Sequence, residues 1–199
     1  FTTDTVADEV WGQADFTGNK CNRTQTYGGA VPNPTSNSLC YMSDLSWGMG
    51  ATMDSSGNLW VVDGGNNRVL RFPVSGGVIS KTADLVLGQT NFTSRGYGSG
   101  MNQMWYPVAI RLDSSHLYVA EYYDGANPPH CNNRVLVFNA PYTTGMSAST
   151  TLGSGFTGGP ISLEIDPQGR GVWVMEERGP IKLWQLGNGT PIKSFTHGG

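Results

Sequence analysis

Apolar residues in this chain fall in short runs with period-two patterning, and Gly, Asn, Asp, Ser and Pro break the runs at short intervals. That pattern predicts β-strands rather than helices. The runs group in fours. The first group is 49–54, 58–63, 67–72 and 83–88; the second is 106–112, 117–122, 133–138 and 149–152; the third is 161–166, 171–176, 180–186 and 190–196. An extra run at 8–16 precedes them. Between first and second runs stand Asp54-Ser-Ser-Gly-Asn58, Asp113-Ser-Ser115 and Asp166-Pro-Gln-Gly-Arg170. Gly and Asn supply the positive φ of tight turns, and Asp and Ser accept bonds from turn amides.

The groups are copies of one another. Gly57-Asn-Leu-Trp-Val-Val-Asp63 leads to Asn66-Asn-Arg-Val-Leu-Arg-Phe72. His116-Leu-Tyr-Val-Ala-Glu121 leads, after an insertion, to Asn132-Asn-Arg-Val-Leu-Val-Phe138. A looser copy runs Gly171-Val-Trp-Val-Met-Glu176, then Gly179-Pro-Ile-Lys-Leu-Trp184. A second motif recurs as Val10-Trp-Gly-Gln-Ala-Asp-Phe-Thr17, Val86-Leu-Gly-Gln-Thr-Asn-Phe-Thr93 and Thr151-Leu-Gly-Ser-Gly-Phe-Thr157. Repeats of this size built from short strands predict a propeller or another stacked array. The expected fold is an all-β propeller segment of four-stranded antiparallel blades. Its blades are 47–88, 105–152 and 160–196, with an outer strand at 8–16 and a long loop insertion at 17–46.

These residues resemble the NHL-repeat family of β-propellers. The Asn-Asn-Arg-Val-Leu-x-Phe string and the Val-Leu-Gly-Gln element carry the resemblance, over residues 8–16 and 47–196. It implies a binding or structural propeller. Asn66, Asn67, Asn132 and Asn133 then read as hairpin formers, and Arg68 and Arg134 as bonded to a carboxylate or carbonyl between blades. The enzyme alternative is a metal-dependent propeller lyase or hydrolase, whose metal-binding histidines come from several inner strands. Here His116, His130 and His197 have no metal-ligand spacing, and none lies on a predicted innermost strand. No catalytic residue, metal site or cofactor is expected. The pair Glu176-Glu177 lies at a hairpin and reads as solvated.

Composition narrows the class further. Glycine is 28 of 199 residues and charged residues are 14%, which argues against a helical bundle. Hydrophobic residues at 38% and aromatics at 11% argue against disorder. A formal charge of −3 disfavours a nucleic-acid partner. No apolar run reaches the ~20 residues of a membrane-spanning helix. Cys21 and Cys40 share one Gly- and Pro-rich stretch, where a disulfide would restrain a segment with little core of its own. Glycosylation acceptor patterns at Asn22, Asn91 and Asn188 join that pair in favouring an extracellular or cell-surface protein.

Blade topology collects the chain's irregular segments on one face. Strands alternate in direction, so links between blades and second-to-third connections share a side. The insertions at 17–46, 93–105 and 122–132 all fall there. Long loops on a rigid scaffold commonly carry binding, and Trp47, Trp105, Tyr122, Tyr123 and His130 are the candidate anchors for a protein or glycan. The shared face also admits Cys40–Cys131 or Cys21–Cys131 as rival bridges. Three units and one extra strand cannot close a ring, so three arrangements are expected: a fragment of a longer propeller, two chains joined as a six-bladed ring, or a filament joined through open blade edges.

Overall fold

The computed structural model describes residues 7–23, 31–40, 50–122, 132–153, 156–188 and 190–195. The described residues form three four-stranded antiparallel sheets and one two-stranded hairpin. Blade 1 comprises β1 (Ala51–Met53), β2 (Leu59–Asp63), β3 (Arg68–Phe72) and β6 (Leu85–Leu87), with the hairpin β4 (Val74–Ser75) and β5 (Val78–Ile79) inserted before its last strand. Blade 2 is β7 (Pro107–Leu112), β8 (His116–Glu121), β9 (Arg134–Asn139) and β10 (Thr150–Leu152). Blade 3 is β11 (Pro160–Ile165), β12 (Val172–Glu176), β13 (Ile181–Trp184) and β14 (Lys193–Phe195). Within each blade the strands pair in chain order. β1 and β11 both pack against β7, so first strands line one side of the array.

The blades stack face to face, which explains why the strands of blade 2 are buried on both sides. In β8, Leu117 and Val119 join Trp60, Val62, Val69 and Leu87 in the core between blades 1 and 2. The alternate residues Tyr118 and Ala120 join Leu163, Val172, Val174 and Trp184 in the core between blades 2 and 3. Period-two geometry sends neighbouring side chains to opposite faces, and here both faces are covered. A third cluster, with Leu70, Phe72 and Val86 at its centre, lies on the far side of blade 1 under Trp11 and Leu39.

The first-to-second turns follow the predicted chemistry. The Asp54 carboxylate accepts from the Ser56 and Asn58 amides, and Gly57 takes φ 85°. Asp113 accepts from the Ser115 and His116 amides, and Asp166 from those of Gln168 and Arg170.

One expected element does not form. Residues 8–16 are bends and turns, not a strand. An outer strand exists only through its ladder to the strand inside it, and among the described residues no strand pairs with this segment. It is held instead by Trp11, whose indole N–H donates to the Ser80 carbonyl at 3.2 Å.

Candidate functional site

The link face is built on a clamp that recurs in every blade. The second strands end in Asp63, Glu121 and Glu176, all buried. Each carboxylate accepts a backbone amide from the link that enters its blade: Cys40 to Asp63 at 2.7 Å, Trp105 to Glu121, and Thr157 to Glu176 at 2.6 Å. Each also meets a base of its own blade. Arg68 Nε lies 2.6 Å from Asp63, Arg134 Nε bonds Glu121, and Lys182 Nζ lies 2.7 Å from Glu176. The arginines then spend their remaining N–H groups on link carbonyls. Arg68 donates to Thr35, Ser38 and Phe92, and Arg134 to Ser99, Gly100 and Gln103.

As expected, the arginines bond carbonyls of the links between blades, although their carboxylates belong to their own blades. One expectation is corrected by this geometry. Glu176 and Glu177 are not a solvated pair. Glu176 is a clamp acid, and Glu177 accepts the Tyr122 hydroxyl at 2.7 Å. Charge pairing is an obligation at such depth, because removing one partner strands the other. Burial pushes the Asp63 and Glu121 carboxyls above the usual carboxylate range, against the pull of Arg68 and Arg134.

The opposite face carries a different set of acids at the ends of the first strands. Asp54 accepts the Trp60 indole N–H at 3.0 Å, Asp113 the Tyr118 hydroxyl at 2.9 Å, and Asp166 the Trp173 indole N–H at 2.9 Å. Burial pulls Asp54 and Asp113 upward, but the donors around them outweigh it and both end below the usual range. Arg170, bonded through Nε and Nη2, holds Asp166 well below it. The hydrogen bond to Asp113 follows burial in raising the Tyr118 phenol.

The expected disulfide is present between Cys21 and Cys40, and Cys131 lies outside the described residues. It ties the start of the first long link to the residue that meets Asp63. Asn22, next to Cys21, departs from its expected role. It is buried, and its Nδ2, the atom a glycan would occupy, donates to the Pro32 carbonyl and to Asn66. No glycan fits there in the folded chain. Asn91 and Asn188 are exposed. Asn91 Oδ1 accepts the Thr93 amide and hydroxyl, each at 2.9 Å.

The aromatic anchors divide. Tyr122 is a core residue between blades 2 and 3, not an exposed anchor. Trp47, Tyr123 and His130 lie outside the described residues. Trp105 is half-buried and stacks on Tyr97, with ring centroids 4.4 Å apart and planes 23° from parallel. Tyr97 is 62% exposed. Tyr97 is not among the anchors expected from the sequence, although its place inside the 93–105 link puts it on the same face. Beneath the pair, Asn132 joins the Gly98 carbonyl to Glu121, so the platform rests on the blade 2 clamp. Among the described residues no three His, Cys, Asp or Glu side chains converge as metal ligands, and no helix is long and apolar enough to cross a membrane.

Blades of four antiparallel strands stacked through both faces define an all-β, propeller-like protein. No protein-family model and no curated protein matches the chain. Among solved structures it is similar to Raptor of Chaetomium thermophilum, at 14% identity and a TM-score of 0.52. That likeness covers 79% of this chain and 13% of Raptor, and it speaks for the fold alone.

Proposed function

We propose that the chain is a non-catalytic binding and structural module of NHL type, secreted or displayed at a cell surface. It takes a protein or glycan ligand on the link face and self-associates through open blade edges. The observation that carries the binding reading is the Tyr97–Trp105 stack. It is a flat aromatic surface on a link whose carbonyls are held by Arg134. A rigid aromatic face binds sugar rings and apolar side chains at small entropic cost. The Cys21–Cys40 disulfide fits an oxidising compartment, and exposed Asn91 and Asn188 are the two acceptors a glycan can reach.

Titration of the chain with glycan and peptide panels, followed by tryptophan fluorescence, tests the ligand. Tyr97→Ala is expected to weaken binding at least about tenfold, a hot-spot effect of roughly 1.4 kcal/mol or more, with the fold retained. Binding that is indifferent to Tyr97→Ala and Trp105→Ala removes the platform from the reading. Intact mass of the protein from its native source tests the compartment. Glycans at Asn91 or Asn188 are expected, and unmodified peptides at both contradict it.

A further inference from the structure

On the turn face a groove opens between successive blades. Between blades 1 and 2 it has a volume of about 490 Å³, with the turn Asp54-Ser55-Ser56 on one side and Asp113 and Tyr142 on the other. Between blades 2 and 3 it has a volume of about 350 Å³, with the turn Ser114-Ser115-His116 facing Arg170 and Gln185. Both volumes fall within the roughly 300–1,000 Å³ of small-ligand sites. Grooves at equivalent places in two gaps are a product of how the blades stack. Their linings differ, and the difference is chemical.

Strand register puts His116 where blade 1 has Asn58, since each directly precedes the leucine that pairs with the last residue of the first strand. Asn58 is fully engaged inside its own blade. Its Nδ2 donates to Asp54 at 2.9 Å, and its Oδ1 accepts the Val74 amide at 3.0 Å. His116 is engaged on one side only. Its Nδ1 lies 3.2 Å from Asp113, and its Nε2 has no partner among the described residues. Across the groove Arg170 gives Nε and Nη2 to Asp166 at 2.8 and 2.6 Å, which leaves Nη1. Gln185 Nε2 and the hydroxyls of Ser114 and Ser115 also make no bond among the described residues, and all three residues line the groove. The His116 and Arg170 side chains are 28% and 34% exposed, so a solute reaches them.

The charges in this groove are already matched. Arg170 is neutralised by Asp166. Asp113 accepts the Ser115 and His116 amides and the Tyr118 hydroxyl, and faces the His116 ring. An anion would therefore meet two carboxylates beside its one arginine, and a cation would find the Asp113 oxygens taken. What remains is a mixed set of hydrogen-bonding positions. Arg170 Nη1 and Gln185 Nε2 donate, the serine hydroxyls do either, and His116 Nε2 accepts when Nδ1–H faces Asp113. Half-buried Ile165 and Leu186 add an apolar strip to the lining. A pyranose matches this set, because its hydroxyls both donate and accept around a ring with apolar C–H faces. We propose that the groove between blades 2 and 3 binds a neutral sugar, free or at the end of a glycan. The site lies on the face opposite the Tyr97–Trp105 platform and does not rest on it.

Saturation-transfer NMR of the 199-residue chain with a panel of neutral hexoses, deoxyhexoses and N-acetylhexosamines tests the proposal, with glucuronate as the charged control. Each sugar is offered free and as its methyl glycoside. Binding of the glycoside marks the end of a glycan, binding of the free form alone marks a free sugar, and either supports the site. Gln185→Ala and His116→Ala are each expected to weaken binding about tenfold, the loss of one hydrogen bond. Gln185 is exposed, so its variant keeps the fold, and circular dichroism checks His116→Ala, which also gives up a contact with Asp113. Tyr97→Ala is expected to leave this binding unchanged. A panel with no binder overturns the proposal, as does binding indifferent to both groove variants. Preference for glucuronate over glucose overturns the neutral class. Loss of binding in Tyr97→Ala, with both groove variants binding normally, moves the sugar to the link face and overturns the groove site while leaving the platform reading standing.

Discussion

The two faces of the array use the same chemistry, one carboxylate per blade, for opposite ends. On the turn face Asp54, Asp113 and Asp166 accept from turn amides and from an aromatic N–H or O–H of the next strand. Their bonds are local, and water reaches the side chains of Asp54 and Asp113 in part. On the link face Asp63, Glu121 and Glu176 are buried, paired with a base, and bonded to the link that enters their own blade. Local bonds tune a hairpin. Long-range bonds decide where long links lie, and so the shape of the face that carries the aromatic platform. A local acid can be lost with one hairpin's worth of damage, whereas a clamp acid takes a stranded charge and a released link with it.

Removing one acid from each face gives the largest contrast. Asp63→Ala leaves Arg68 buried without its counter-ion and frees the Cys40 amide. A cost of about 3–5 kcal/mol is expected. Asp54→Ala loses the bonds from Ser56, Asn58 and Trp60, at about 1–2 kcal/mol. Urea unfolding of both variants measures the difference. Equal costs would erase the distinction between the faces.

The disulfide sharpens the comparison, since the link face alone has one. Cys21 and Cys40 are separated by 19 residues. Replacing both with serine is expected to cost about 3 kcal/mol through the freed unfolded chain. A clamp that depends on the link being in place makes Asp63→Ala less costly in that background than in the native chain. A double-mutant cycle reads this coupling, and strict additivity would show that link and clamp act independently.

Strands were legible in this sequence because turn chemistry and period-two patterning agree at every hairpin; all twelve blade strands overlap their expected ranges. The clamps were half legible. Arg68 and Arg134 stand out in the repeat, but a pairing between Asp63 and Arg68 requires knowing that both point into the protein at one end of the blade. In blade 3 the base moved. Pro180 stands where Arg68 does, and Lys182, two positions further along β13, reaches the acid instead. That shift hid Glu176 among surface charges. Asn22 misled for a related reason: a Gly- and Pro-rich stretch reads as exposed loop, yet this one folds back so that Asn22 and Asn66 bond each other.

Acid titration is the subtlest way to separate the faces, because the two sets of carboxyls contribute with opposite sign. Asp54 and Asp113 are held below the ordinary value of about 3.9, so between their folded and unfolded values the unfolded chain binds more protons. Their stabilisation is complete above about pH 5 and is lost as pH falls through the folded values. Asp63 and Glu121 are pushed up by burial, so their contribution is present below the ordinary value and is lost as pH rises through the folded one. Loss of stability on acidification therefore belongs to the turn face. The double variant Asp54→Asn, Asp113→Asn is expected to lessen the fall in urea midpoint between pH 5 and about pH 2.5, the remainder staying with Asp166. Asp63→Asn, although more costly near neutrality, should leave that fall in place. If the double variant keeps the full acid dependence while Asp63→Asn removes it, the assignment of the two faces is reversed.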